Sequence, residues 1–190
     1  MKKINKEAAK KAVKTLLEYI GEKTNREGLK ETPERVVNSY SEFFSGYSKN
    51  PTKILSKTFE EVSGYNEMIL LKNIRLESFC EHHLLPILGK VHVAYLPKSK
   101  IVGISKIAKV VDVFSKRLQL QERLTAEIAH AIQDSLDPRG VAVYIDSIHH
   151  CMTTRGAHKS SASMITSFKL GVFKENYNYY SEFISLINSS

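Results

Sequence analysis

The chain has 190 residues, of which 42% are hydrophobic and 25% are charged, so it has the composition of a folded globular domain rather than a disordered chain. Two cysteines cannot form a disulfide framework, and no apolar run reaches the roughly 18 residues that a membrane-spanning helix needs. The net charge of +8 indicates an anionic partner: nucleic acid, a membrane surface or a phosphorylated small molecule. The lysine-rich N-terminus lacks the apolar core of a signal peptide, which favours a reducing, cytoplasmic location.

Helical periodicity dominates the first part of the chain. Apolar residues that recur on one face, starting at Ile4, predict a helix over residues 4–20, and lysines surround the rest of it. A second helix is predicted to begin at Thr32, as a hydroxyl N-cap followed by Pro33, and to stop at Gly46. We therefore expect a single domain, in which residues 1–50 form a helical segment and residues 51–190 the main body.

The middle of the chain changes to the alternation of apolar and polar residues that is typical of half-buried strands. The predicted elements are, in order, strands at 74–77, 91–96 and 101–104, helices at 107–118 and 124–136, strands at 141–149 and 164–171, and a helix at 180–187. Strands that come in groups separated by a helix pair favour an α+β fold with an antiparallel sheet. The sequence has no GxGxxG or P-loop motif, which argues against the common nucleotide-binding folds.

Both cysteines of the chain stand beside histidines. Cys80 and His83 are three residues apart, so a single turn can direct both side chains at one point. If residues 141–151 continue as a strand, His149 and Cys151 share one face. Together Cys80, His83 and Cys151 form a donor set that suits zinc, and three protein ligands leave a fourth position for water, as in catalytic sites. The alternatives are two buried thiols without a metal or, in an oxidising compartment, a disulfide.

Further histidines lie next to these predicted ligands. Two thiolates nearly neutralise the charge of Zn²⁺, so such a metal acidifies its water less than a site built of histidines alone would. Separate proton-transfer groups would then help, and His82 and His149 are the candidates because imidazole titrates near neutral pH. His150 is predicted to point to the opposite face of the strand and to be structural.

A strand-to-helix junction carries a hydroxyl group and two lysines. Ser105 is predicted to be an N-cap, and Lys106 and Lys109 share one helix face, so a phosphate could bind at this helix start. The simpler alternative is a pair of solvated lysines on an amphipathic helix. Arg155 adds a further cation close to the second predicted metal-ligand segment.

Gln121 and Glu122 open the following helix. A carboxylate at a helix start is favoured by the helix dipole, which is one explanation for Glu122. The functional explanation is recognition of a base edge with two N–H donors, because a carboxylate accepts both. Guanine presents such a pair of donors and adenine does not.

Together these segments resemble the GTP cyclohydrolase I family. The matching stretches are residues 26–29, 32–36, 78–86, 103–106, 121–125, 149–152, 155–156 and 171–173, in the expected order over residues 26–187. The combination of the CEHHLLP and HxCMxxRG segments is highly specific. Three positions depart from the family pattern: Lys109 replaces the usual arginine, Ala162 a common serine, and Met164 stands in a usually polar stretch.

The resemblance implies a fold, an assembly and a reaction. Family members have the T-fold, in which antiparallel sheets of several subunits join into a barrel, and they assemble as a homodecamer of two pentamers with active sites at subunit interfaces. The implied activity is that of a hydrolase that converts GTP and water to 7,8-dihydroneopterin triphosphate and formate, the first step of pteridine and tetrahydrofolate biosynthesis.

The resemblance also implies roles for individual residues. Cys80, His83 and Cys151 would bind zinc, which activates the water that attacks C8 of the purine, while His82 and His149 would move protons. Gln121 and Glu122 would hold the guanine. The ribose-triphosphate end would meet Arg35, Ser105, Lys106, Lys109 and Arg155.

Two other functions compete with this expectation. One is a T-fold relative that binds a pterin or a purine without hydrolysing GTP, and the full set of predicted ligands and histidines argues against it. The other is a basic nucleic-acid-binding protein, which would need basic and aromatic residues clustered on one face. Because the lysines instead spread along the first helix, we expect neither nucleic acid nor a membrane as a partner.

Overall fold

A computed structural model describes residues 5–60 and 64–189. The chain forms two compact units, with the boundary between Ser45 and Gly46. The predicted boundary between residues 50 and 51 lies slightly later, and the single-domain assignment stays a prediction. The helices are α1 (Lys6–Tyr19), α2 (Thr32–Phe43), α3 (Pro51–Leu55), α4 (Ile104–Ser115), α5 (Gln121–Leu136), α6 (His150–Thr153), α7 (Val172–Glu175) and α8 (Tyr177–Asn188), with 3₁₀ turns at Glu27–Leu29 and Ser45–Ser48. The strands are β1 (Thr58–Phe59), β2 (Ile69–Cys80), β3 (Pro86–Leu96), β4 (Ile101–Val102), β5 (Leu118–Gln119), β6 (Gly140–His149) and β7 (Met164–Gly171).

The first unit contains the two predicted helices, with different ends. α1 is capped by Asn5, whose side chain accepts a hydrogen bond from the Ala8 N–H, and the predicted start at Ile4 lies outside the described residues. The prediction of Thr32 as an N-cap is wrong, because Thr32 is already helical and Glu31 precedes the helix. The Thr32 hydroxyl instead donates to a main-chain carbonyl one turn earlier.

The second unit is built on one five-stranded sheet with the order β5-β2-β3-β6-β7. The pairs β2–β3, β3–β6 and β6–β7 are antiparallel, and the short β5 runs parallel to the end of β2. This arrangement confirms the predicted α+β class. In the register of the sheet, Phe79 faces Pro86 and Ile87 faces His149, so the turn after β2 and the end of β6 lie at the same end of the sheet.

Side chains on both faces of the sheet are buried. α4 and α5 cover one face, where Val91, Val93 and Tyr95 belong to the main hydrophobic core. α7 and α8 cover part of the other face, where Ala94 and Leu96 pack in a smaller cluster. Strand β3 is therefore more deeply buried than its alternating sequence predicts. No helix in the described part of the chain is both long enough and apolar enough to span a membrane.

One glycine is required by the close approach of the strands that carry the site. Gly89 of β3 faces Ser147 of β6. A Cβ atom at position 89 would lie 2.1 Å from the carbonyl oxygen of Asp146 and 2.6 Å from the Cα of Ser147. Any larger residue must therefore push β3 and β6 apart just beside the end of β6.

Candidate active site

Three side chains with metal-ligating atoms converge where β2 and β6 end. The ligand atoms of Cys80, His83 and Cys151 all lie within 4.8 Å of one another. The Sγ of Cys80 is 3.9 Å from Nδ1 of His83. Cys80 is buried and His83 is exposed, so the group opens to solvent on one side. The spacing-based prediction that one turn directs Cys80 and His83 at a common point agrees with this geometry.

Main-chain hydrogen bonds shape the turn that carries the first two of these residues. The Cys80 N–H donates to the carbonyl of Leu85, and the Cys80 carbonyl accepts from the N–H of Leu84 at 2.8 Å. Leu84 has a φ of 57°, which lets the chain reverse within residues 81–85. The turn is also tied to β5, because the Glu81 N–H donates to the carbonyl of Gln119.

The third residue reaches the group in a different way from the one predicted. The condition that residues 141–151 continue as a strand is not met, because β6 ends at His149 and the short helix α6 begins at His150. A helical turn, rather than strand alternation, therefore brings Cys151 to Cys80 and His83. His150 begins this turn, and its carbonyl accepts hydrogen bonds from the N–H and hydroxyl of Thr154.

The surroundings of Cys151 favour the protonated form of its thiol. Burial and the adjacent Cys80 raise the pKa of the Cys151 thiol, and the positive charge of Arg155 opposes this rise only in part. A divalent cation lowers the pKa of the thiols that it binds, because it favours their thiolate form. Two sulfurs and one imidazole nitrogen form a donor set that suits zinc, so the residues present fit such an ion.

His149 stands at the end of β6, beside this group. Its Nε2 is 2.7 Å from Oε1 of Gln121, which also accepts a hydrogen bond from the Ser147 hydroxyl at 2.7 Å. Burial lowers the pKa of His149, while the carboxylate of Glu122 opposes the shift. The imidazole is thus biased toward its neutral form, which can accept a proton.

The other side chains that were predicted to act near Cys80, His83 and Cys151 are more exposed than His149. His82 lies in the same turn as His83, with 6.1 Å between the ring centroids. Glu122 is exposed in the first turn of α5. Arg155 donates from Nη1 to Nε2 of His83 at 2.8 Å, so the predicted cation does lie beside the metal-binding group.

The predicted phosphate-binding residues lie toward the end of α4 that is farther from Cys80, His83 and Cys151. The prediction of Ser105 as an N-cap is wrong, because Gly103 occupies that position, and among the described residues no side chain caps α4. The C-terminal end of α4 leads to β5, which pairs with Phe79 and Cys80. At 1.5 Å per residue, Lys106 therefore lies on the order of 15 Å along the helix from the end nearest the metal group.

Lys106 and Lys109 instead line a cleft of about 670 Å³ between α3 and α4. Lys49 and Lys53 add two more ammonium groups to this cleft, and Asp112 is its acidic residue. Arg35 belongs to α2 in the first unit, where it donates to the Glu31 carboxylate at 2.6 Å.

Two contacts at the site were not found from the sequence. Arg123 of α5 donates to the carboxylate of Glu81, and so ties the metal-binding turn to the helix. The side-chain oxygen of Gln121 contacts His149 and also accepts a hydrogen bond from Ser147. No local signal marked the contact of Arg123 with Glu81, because the two residues lie 42 positions apart. No local signal marked Ser147, because its partner lies 26 residues away.

Comparison with known proteins identifies the family. A family model described as GTP cyclohydrolase I matches residues 9–188. The chain belongs to the GTP cyclohydrolase I family. It is 52% identical over 185 residues to the GTP cyclohydrolase 1 of Maricaulis maris (strain MCS10), which covers 97% of this chain and 90% of that protein. It is 50% identical over 187 residues to the GTP cyclohydrolase 1 of Pelagibacter ubique (strain HTCC1062), which covers 98% of this chain and 93% of that protein.

A solved structure matches this chain at lower similarity. The archaeosine synthase QueF-Like in its apo form has a TM-score of 0.47 and 21% identity, and the match covers 56% of this chain and 96% of that one. The family assignment therefore comes from the sequence matches, and it agrees with the α+β topology described above. Membership of the GTP cyclohydrolase I family also makes this chain an enzyme.

Proposed function

We propose that this enzyme uses zinc to convert GTP and water to 7,8-dihydroneopterin triphosphate and formate, the first step of tetrahydrofolate biosynthesis. The observation that carries the proposal is the convergence of Cys80, His83 and Cys151 beside two further histidines in a chain of this family. The two free thiols suit a reducing compartment, so we place the reaction in the cytoplasm.

Cys80, His83 and Cys151 would hold the zinc ion. Bound there, zinc would supply Lewis-acid activation of the hydrolytic water. His149 and His82 carry the proton transfers that opening of the imidazole ring, release of formate and ring reclosure require. At neutral pH the lowered pKa of His149 keeps its imidazole unprotonated, which a proton acceptor requires.

Glu122 reads the guanine base. Its carboxylate can accept the N1–H and the 2-amino group of guanine together. Gln121, which was expected beside it, has its side-chain amide fully engaged with protein partners. Its main-chain N–H lies in the first turn of α5, where helix N–H groups have no intrahelical acceptor, and can donate to the neighbouring O6 of the base.

The triphosphate end requires residues that one chain does not bring to its own metal group. Ser105, Lys106 and Lys109 lie toward the other end of α4, so we propose that these three residues complete the site of a neighbouring subunit. Arg155 lies beside His83 of its own chain and would meet the triphosphate there, and Arg35 is proposed as a further cation for it. Strand β7 is an edge strand of eight residues, and pairing between subunits would satisfy its outer edge. Both features support the homodecamer of two pentamers with interfacial active sites.

The test is incubation of the purified protein with GTP while formate and the pterin chromophore are followed together. We expect both products to appear in equal amounts, and zinc to be present at about one ion per chain. Binding of GTP without release of formate would instead indicate a relative that holds the nucleotide without hydrolysing it. Light scattering under the same conditions tests the assembly, and an active monomer would contradict the shared site.

A further inference from the structure

The amide of Gln121 has only one possible orientation. The side chain is buried, with 1% of its surface exposed, and Nε2 lies 2.9 Å from the carbonyl of Met164 and 3.3 Å from that of Ile145. Carbonyl oxygens only accept hydrogen bonds, so the group that faces them must be the NH₂ of the amide. The amide oxygen therefore faces Ser147 and His149.

This orientation decides where His149 carries its proton. An amide oxygen only accepts, so both of its neighbours must donate to it: the hydroxyl of Ser147 and Nε2 of His149, each at 2.7 Å. A neutral imidazole has a single N–H. With that proton on Nε2, the lone pair of Nδ1 is left as the acceptor.

We propose that Gln121 is a positioning residue that holds His149 in its Nε2–H tautomer and leaves Nδ1 as the proton acceptor of the active site. The two possible tautomers of a free imidazole differ little in energy, so only a fixed partner can select one of them throughout. The tautomer follows from the hydrogen bonds alone, whereas its effect on turnover rests on the proposed function.

The helix and strands around Gln121 hold its side chain in place. Gln121 opens α5, whereas its partners belong to β6 and β7. The hydroxyl of Thr166, 3.2 Å from Nε2 of Gln121, is in turn held 2.7 Å from that of Thr125. The amide thus links one helix to two strands, and the ring of His149 is fixed against all three.

The tautomer can be measured directly by solid-state NMR of the zinc-loaded protein labelled with ¹⁵N-histidine, at about pH 8, where imidazole is neutral. A difference spectrum against His149→Asn identifies the His149 signals among the seven histidines. We expect the proton on Nε2 in the wild-type protein. A proton on Nδ1 would overturn the inference, whatever the variants do.

Two variants separate positioning from general structure. In Gln121→Met, which is similar in size but has no amide, we expect a mixture of His149 tautomers. We also expect kcat to fall about 10- to 100-fold while KM changes little, because Glu122 remains. In Thr166→Val, which loses a contact on the NH₂ side of the same amide, we expect the wild-type His149 signals and kcat.

The outcomes remain distinguishable if one part fails. Gln121→Met with wild-type His149 signals and wild-type kcat would contradict the positioning role, as would equal losses in Gln121→Met and Thr166→Val. If Gln121→Met does not fold, the wild-type spectrum still decides the tautomer. An Nε2–H signal in a protein that releases no formate from GTP would refute the proposed function and leave the tautomer assignment intact.

Discussion

Replacing Cys151 by serine tests the metal centre with the least disturbance to the rest of the site. Cys151 comes from α6, whereas Cys80 and His83 share one turn held by main-chain hydrogen bonds, so the latter pair stays in place when the thiol is lost. A hydroxyl is a poor ligand for zinc in a site built for sulfur. The variant therefore removes one of three ligands and keeps the shape of the side chain.

The size of the effect can be estimated from the ligand count. Structural zinc sites with four protein ligands bind with about 10–16 kcal/mol, which is about 3 kcal/mol for each ligand. Three ligand groups lie within 4.8 Å of one another in this chain, so losing one should weaken zinc binding by about 3 kcal/mol, or roughly 100-fold in Kd.

The assay is competition for zinc with a chromophoric chelator, with circular dichroism to show that the fold is kept. His150→Gln is the matched control, because residue 150 lies in the same helical turn but outside the metal-binding group. We expect Cys151→Ser to lose zinc and formate release together and His150→Gln to keep both. Wild-type zinc affinity in Cys151→Ser would refute the proposed ligand set.

Three further predictions concern base recognition, proton transfer and acid stability. Glu122→Gln should lower kcat/KM for GTP by about 10- to 100-fold at unchanged zinc content. The wild-type enzyme should not turn over ATP, because adenine would leave the Glu122 carboxylate unpaired. Equal turnover of the two nucleotides would show that Glu122 does not recognise the base. His82→Ala and His149→Ala should each keep zinc while formate release falls about 100-fold or more, and loss of zinc from either would make that histidine a ligand. Burial and the positive charges of Lys90 and Lys72 hold the pKa of His92 below its usual range. As the pH falls below about 6.5, His92 is therefore protonated in the unfolded chain before it is protonated in the folded protein, and the free energy of unfolding decreases. In urea titrations, His92→Phe should therefore lose less stability than the wild type between about pH 7 and pH 5, and parallel losses would contradict the assignment.

The sequence predicted the parts of the fold that repeat a burial pattern. Strand β7 was predicted at its observed bounds and β6 to within one residue, because exposure alternates over the first part of β7 and β6 begins with a run of buried residues. α5 was found from its spaced apolar residues, although it begins at Gln121, earlier than the first of them. Short elements such as α3 and β5 were missed, since a few residues carry too little periodicity to be recognised.

Local signals failed where two structures compete for the same residues. Around α4, both Gly103 and Ser105 can precede a helix, and the chain places Gly103 at the cap. After His149, sequence alternation allowed the strand to continue, but the main chain turns into α6 and its hydrogen bonds to Thr154 close that turn. Cys80, His83 and Cys151 nevertheless lie together as predicted, because a helical turn can bring Cys151 to the other two as well as a strand can.

The case of Gln121 shows why the role of a residue can differ from its apparent chemistry. In the sequence it is a polar side chain next to Glu122 at a helix start, and base recognition is the natural expectation for both. In the fold, a buried amide must satisfy both its donors and its acceptor, and the partners that it finds among the described residues belong to β6 and β7. Because these partners lie 24 to 45 residues away, no local pattern can reveal them. The same requirement that every buried polar group be paired therefore both stabilises the junction of α5 with the sheet and sets the orientation of His149.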